Sequence, residues 1–383
     1  MRFGIGFVAL ILALGAWPGA VEGQTGLTPT PQAGSAADVN ALLREGIALH
    51  DKGDFDGAIE KYRQGLALDP ENAHVMYEMG WSQFAKHDLK AAQVTAEKVL
   101  TLKGAPRDAW VLVGNVYDDL GDPARAIASY RAGIERYPEF FLLYFNLGAT
   151  YRRLRKLPLA RACLENSVAL EPRHASSHFY LGRNYMEEGY RVPAILALTR
   201  FLTLEPKTQR SGNAIGFLDE IFKSGVKKDS PGHTTITMNV DLPKDEGDFS
   251  SADLVVSISQ TLQDLDPTSG HKPEGPPEMD RLATLFAAVG ESGKDAGKGF
   301  AAEHYAPAVI ELAQRHLTTA YAALALQSLK SPAYEAWTTE HRGQMLDASK
   351  FLSSYRWPQK RPPMPPIVAP DPSPTPSPAA QKN

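Results

Sequence analysis

The chain has 383 residues, 43% of them hydrophobic and 22% charged, enough for two domains of ordinary globular composition. A formal net charge of −4 gives no global attraction to nucleic acid or to anionic lipid; this is not a strongly basic protein, and net charge leaves local patches open. With Cys163 as the single cysteine there is no intramolecular disulfide, and the fold must rest on a packed core.

Residues 1–23 read as a signal peptide: Arg2 supplies the positive start, Phe3 to Ala16 the apolar run, and Val21 and Gly23 the small residues before a cleavage site at Gln24. The apolar run falls short of the roughly 20 residues that span hydrocarbon, so no membrane span is expected once it is removed. The expected location is therefore outside the cytoplasm, periplasmic or secreted. The alternative is an N-terminal segment retained as an anchor. Residues 24–38 read as a flexible linker.

From residue 39 the chain repeats itself every 34 residues, in units 39–72, 73–106, 107–140, 141–174 and 175–208. The eighth position is glycine throughout (Gly46, Gly80, Gly114, Gly148, Gly182), and the twentieth is alanine (Ala58, Ala92, Ala126, Ala160, Ala194). Two antiparallel helices can approach closely only where side chains are small, which is what these positions supply. Pro70, Pro138, Pro172 and Pro206 end the second helix of four units, with Gly104 in the remaining one. Pro123, Pro158 and Pro193 fall near the start of second helices, where a missing N–H costs little. Unit two is the least regular, with Gln83 for a large apolar residue and Ala96 for an aromatic one.

This pattern resembles the tetratricopeptide-repeat (TPR) family over residues 39–208. The resemblance implies an all-α fold, a TPR superhelical solenoid of five repeats closed by a capping helix near 209–224, the whole spanning 39–228. It also implies a concave groove lined by the first helix of each unit. Carried onto this sequence, the groove positions are Leu43, Ile47, Tyr77, Trp81, Phe84, Asp108, Asn115, Asp118, Phe145, Arg152, Phe179, Arg183 and Met186. The aromatic set Tyr77, Trp81 and Phe84 stands out, since surface rings serve as binding anchors. The lysine/asparagine clamp with which some TPR proteins hold a C-terminal carboxylate is not matched here: Leu43/Ile47, Tyr77/Trp81 and Val111/Asn115 occupy its positions, and only Asn115 fits.

Past the solenoid, Thr235 to Val240 alternates weakly as a short strand would. A helix is expected from Ser250, capped by that serine and stapled by Phe249 onto Leu254, with further helices at 278–289, 305–317, 318–329 and 333–351. Pro307 should bend or start its helix. Residues 229–357 thus read as a small helical domain of no recognised family, and 358–383 as a disordered Pro-rich tail.

The sequence offers little chemistry. His174 and His178 have metal-ligand spacing without a third partner, and Gly290-Glu291-Ser292-Gly293-Lys294 lacks the early glycine and the final Ser/Thr of a phosphate loop. That piece and Gly297-Lys298-Gly299 read as a mobile interhelical loop, and Cys163 as a core residue. No catalytic residue, cofactor or metal is expected. The expected function is an adaptor or scaffold that binds a protein or peptide ligand in its groove, without nucleic acid; the sequence leaves the oligomeric state open. Two alternatives stand beside it. The C-terminal helices could fold into the groove and regulate it, or they could carry an enzymatic activity around Glu303, His304, Glu311 and His316.

Overall fold

The computed structural model describes residues 36–224, the backbone of 226–230, 233–236 and 259–265, and residues 243–258, 275–329 and 331–364 in full. The expected signal peptide, nearly all of the linker and the tail beyond 364 lie outside the described residues.

Five helical hairpins follow one another: α1 (Ala36–Asp51) with α2 (Phe55–Leu68), α3 (Ala73–Ala85) with α4 (Leu89–Thr101), α5 (Ala109–Asp119) with α6 (Pro123–Arg136), α7 (Phe141–Arg153) with α8 (Leu157–Leu170), and α9 (Ala175–Glu188) with α10 (Arg191–Leu204). The capping helix α11 (Gln209–Lys223) closes the stack, held at its start by reciprocal bonds between Thr208 and Ser211. Each first helix also touches the next first helix, from α1 through α11, more than the second helices touch one another. The first helices therefore line the inside of the curve.

The small residues act as their pattern requires. A Cβ added at Gly46 would stand 2.3 Å from the Tyr62 ring, and one at Gly114 2.2 Å from the Tyr130 ring. In unit two Ala96 replaces that ring, and the nearest atom to Gly80 is instead Leu112 of the following unit, at 2.8 Å. The five alanines at the twentieth position are fully buried. Each hairpin turn places its fifteenth residue at positive φ: Gly53, His87, Gly121, Arg155 and Gly189. Asp54, Asp88 and Asp122 then cap the second helix, each accepting a backbone N–H three residues on.

Beyond α11 a short antiparallel pair, β1 (Val226–Ser230) and β2 (His233–Ile236), takes in the first part of the expected strand; residues 237–240 lie outside the described residues. The C-terminal helices are α12 (Ser250–Leu265), α13 (Pro277–Ser292), α14 (Phe300–His304), α15 (Ala306–Gln314), α16 (Thr318–Ala325), α17 (Pro332–Glu340) and α18 (Arg342–Ser354). Pro307 starts α15 rather than bending it, and the single helix expected over 333–351 is two. The start of α12 also differs from expectation. Asp248, not Ser250, supplies the accepting carboxylate (3.1 Å to the Ser250 N–H), and Leu254 is exposed while Phe249 is buried, so there is no staple.

These helices do not keep a core to themselves. One continuous apolar cluster runs from Leu164 through α9, α10 and α11 to Leu352, joining the last two units to the C-terminal helices. Helix α10 is buried from Val192 to Leu202 because α9 covers one side and α12 and α16 another. Ser328 donates to the Pro206 carbonyl at the same junction. The alternative in which the C-terminal helices occupy the concave groove is corrected by this arrangement: the described ones pack against the second helix α10 and the capping helix α11. The tail is corrected in part as well. Residues 355–364 lie along the outside of units five to three, with Asn166 Nδ2 donating to the Pro362 carbonyl (3.1 Å) and Arg361 to the Pro138 carbonyl (2.7 Å).

Candidate protein-binding groove

Of the thirteen expected groove residues, Phe84 and Phe179 are buried, 9% and 6% exposed, and the rest are half-buried. On α3 the rings form a ladder. Tyr77 and Trp81 meet edge to face at 6.3 Å, and Trp81 and Phe84 at 5.6 Å. Phe84 and one side of Trp81 serve the packing between units, and Tyr77 and Trp81 keep partial exposure. Leu43 packs beside Val39 and Tyr62. Asn115 accepts from the Tyr130 hydroxyl (2.7 Å), which anchors a turn of α5 rather than offering a clamp.

Sequence reading missed the electrostatics of this face. Glu78, beside the ring ladder, is pushed up to about 7, by burial first and then by the charges of Asp51 and Asp108. Charges at the ends of the first helices are paired from unit to unit: Asp118 with Arg153, and Glu187 with both Arg152 and Arg155. Further along, Phe145 meets Tyr180 edge to face at 5.3 Å, and Arg183 stacks over Phe217 of the capping helix at 5.2 Å. Tyr180 and Phe217 are additions to the expected lining; Tyr180 adjoins the marked Phe179, whereas Phe217 lies on the capping helix, where the repeat register marked no position.

The outer face carries the polar cluster that holds the C-terminal helices. Arg161 on α8 pairs with Glu246 (2.5 Å), Asp245 (2.8 Å) and Glu188 (3.5 Å). Glu246 also accepts the Ala301 N–H at the start of α14 (3.2 Å) and faces the Tyr185 hydroxyl (3.0 Å), which lies 2.9 Å from Glu165. One hydroxyl hydrogen cannot serve two carboxylates, so a proton is held between them. Burial first, and then the charge of Glu246, pushes Glu165 well above the ordinary carboxylate range. The glycine-rich piece, expected to be a mobile loop, forms the seat of this cluster. A Cβ at Gly299 would come within 2.3 Å of the Glu246 backbone, and Asp248 N–H donates to the Ala296 carbonyl (2.7 Å).

Of the titratable groups named for possible chemistry, His316 is exposed at the end of α15, and the others are engaged elsewhere. His178 is fully buried between the Tyr305 hydroxyl (2.8 Å) and the Pro172 carbonyl (3.0 Å), while His174 meets Ser177 Oγ (2.7 Å). His304 lies between Phe300 and Trp357 with its Nδ1 on the Pro358 carbonyl (3.0 Å); Glu303 pairs with Lys360 and Glu311 with Arg315. Burial holds His304 down to about 3. Among the described residues no three His, Cys, Asp or Glu side chains form a metal site.

Comparison with known proteins bears on the repeat itself. The family profile described as TPR repeat matches residues 46–86, and that described as tetratricopeptide repeat matches residues 111–162. The solenoid is built of tetratricopeptide repeats. Outside the profiles, the chain is 24% identical over 143 residues to a barley (Hordeum vulgare) protein described as a probable UDP-N-acetylglucosamine–peptide N-acetylglucosaminyltransferase, SPINDLY; the match takes in 36% of this chain and 15% of that protein's length. Among solved structures, MamA is 22% identical, with 46% of this chain and 96% of MamA covered at a TM-score of 0.38. PilF of Pseudomonas aeruginosa is 19% identical, with 49% and 85% covered at 0.44. Among the described residues the array is followed by seven further helices that share a core with its last two units and capping helix. Among the described residues no helix is long and apolar enough to cross a membrane.

Proposed function

We propose that this chain is an exported, non-enzymatic scaffold that binds a segment of another polypeptide in the concave face of its TPR array. The observation that carries the reading is the division of labour between the two faces. The outer side of the last two units is covered by the chain's own C-terminal helices, while the inner face keeps half-exposed rings, Tyr77 and Trp81, beside a half-buried Glu78 that has no ion pair among the described residues. Rings held edge to face are rigid anchors that lose little entropy when a partner covers them. Export rests on the N-terminal sequence alone: a charged start, a short apolar run and a small-residue cleavage site.

Affinity capture from an envelope extract tests the reading, with the immobilised full chain beside its Tyr77→Ala/Trp81→Ala variant. The expected outcome is a partner retained by the parent and reduced at least tenfold on the variant, whose melting profile stays cooperative. Equal retention on both would remove the concave face from the account. A single Trp81→Ala chain serves as the bait if the double variant loses its fold.

A further inference from the structure

We propose that the C-terminal half of the concave face, where α7, α9 and α11 meet, receives an acidic stretch of the partner: a segment with at least two Asp or Glu side chains beside an aromatic or aliphatic residue. The proposal rests on the groove reading above and gives that site its chemistry.

Three guanidiniums, those of Arg152, Arg155 and Arg183, gather on this stretch, and among the described residues the one carboxylate paired with them, Glu187, serves the first two. Arg183 makes no ion pair among the described residues. Its guanidinium carbon lies 5.8 Å from the centre of the Phe179 ring and 5.2 Å from that of Phe217. Arg152 is largely buried, with a side chain 13% exposed, and its Nε finds no acceptor.

The two cations also act on each other. Burial first, and then the charge of Arg183, holds Arg152 down to about 10, and burial lowers Arg183 in turn. Like charges held half out of water without enough counter-charge disfavour the empty chain, and an incoming carboxylate relieves that through charge-assisted hydrogen bonds. The surplus is two positive charges. A polypeptide's C-terminal carboxylate would bring only one, so side-chain acids within the segment match the site better. The rims are apolar and aromatic: Phe145 against Tyr180 on one side, Phe179 and Phe217 on the other. A ring or an aliphatic chain next to the acid would pack there while its carboxylate forks onto the arginines.

The test uses a phage-displayed library of random twelve-residue peptides selected on the full chain, on an Arg183→Gln chain and on the Trp81→Ala chain. The strongest peptides are then measured by fluorescence anisotropy at low and high salt. The expected result is enrichment of Asp and Glu next to apolar residues on the parent, with affinity falling at least about tenfold on Arg183→Gln and weakening with salt. The Arg183→Gln chain should melt within about 3 °C of the parent, since it gives up two ring contacts but no ion pair; a larger drop would mark a purely structural arginine. Peptides that depend on Trp81 but show no acidic enrichment, or enrichment that survives Arg183→Gln, would overturn the acidic assignment and leave the groove reading intact. Peptides insensitive to both variants, or a library that yields no binder, would overturn the two together.

Discussion

Replacing Glu246 with alanine should cost the folded chain about 3–5 kcal/mol, the cost expected when one partner of a buried ion pair is removed and the other remains. Glu246 is 5% exposed and joins three parts of the chain: Arg161 of the fourth unit, Tyr185 of the fifth, and the start of α14. Its loss leaves the Arg161 guanidinium, 15% exposed, with Asp245 and Glu188 alone, and removes the acceptor at the Ala301 N–H. Urea denaturation followed by tryptophan fluorescence reads the loss, and a change within about 0.5 kcal/mol would show that the cluster does not hold the junction.

The same cluster sets a pH dependence whose sign can be worked out. Glu165 keeps its proton in the folded chain above the pH at which an unfolded glutamate has lost it. The folded state then binds more protons, so this group's contribution is fully present below about pH 4.5 and falls as pH rises from there toward the folded value. Glu165→Gln, which keeps an uncharged acceptor for the Tyr185 hydroxyl, should flatten that alkaline fall. His178 and His304, both held neutral by burial, act in the opposite sense: their contribution is lost as pH drops from about 6.5 toward their folded values.

Trp357→Ala should release the segment 358–364 from the repeats and destabilise the chain by about 3 kcal/mol, from lost ring burial together with a lost cation–π contact. The Arg200 guanidinium, 4% exposed and without a carboxylate partner among the described residues, lies 4.4 Å from the centre of the Trp357 ring. The ring also stacks on His304 at 5.5 Å and meets Tyr355 at 5.0 Å. Without it, His304 becomes solvated and its pKa should climb from about 3 toward the ordinary range. An NMR titration of the His304 ring reads this directly; a ring that stays neutral down to pH 4 in the variant would mean that Trp357 does not shield it. Trp357→Phe should lose less, since a smaller ring keeps a face for Arg200.

The repeats were legible because their spacing is set by steric necessity. Nothing larger than glycine fits at Gly46 or Gly114 beside a tyrosine ring, so the periodicity survives in the sequence. The positive φ at the fifteenth position was not legible, because His87 and Arg155 hide a conformation that glycine marks in the other three units. The covered outer face was overlooked for a different reason. Helical spacing tells which side of a helix is apolar, but not which distant element covers it: His178 and Tyr305 are 127 residues apart, and Arg161 and Glu246 are 85 apart. One sign was available. Helix α10 runs Val192-Pro193-Ala194-Ile195-Leu196-Ala197-Leu198, apolar on all sides, and an all-round apolar helix needs a second covering layer. The groove register placed Arg152 and Arg183 correctly on first helices, yet their mutual repulsion depends on half-burial that no linear pattern records.

The concave face as the working surface is the central claim, and amide hydrogen exchange on the full chain with and without its captured partner tests it most directly. The account predicts slowed exchange in the first helices α3, α5, α7 and α9 and in the capping helix α11, with α13 to α18 unchanged. Protection confined to α13 to α18, with the first helices exchanging as in the free chain, would contradict it and move the binding surface to the C-terminal helices.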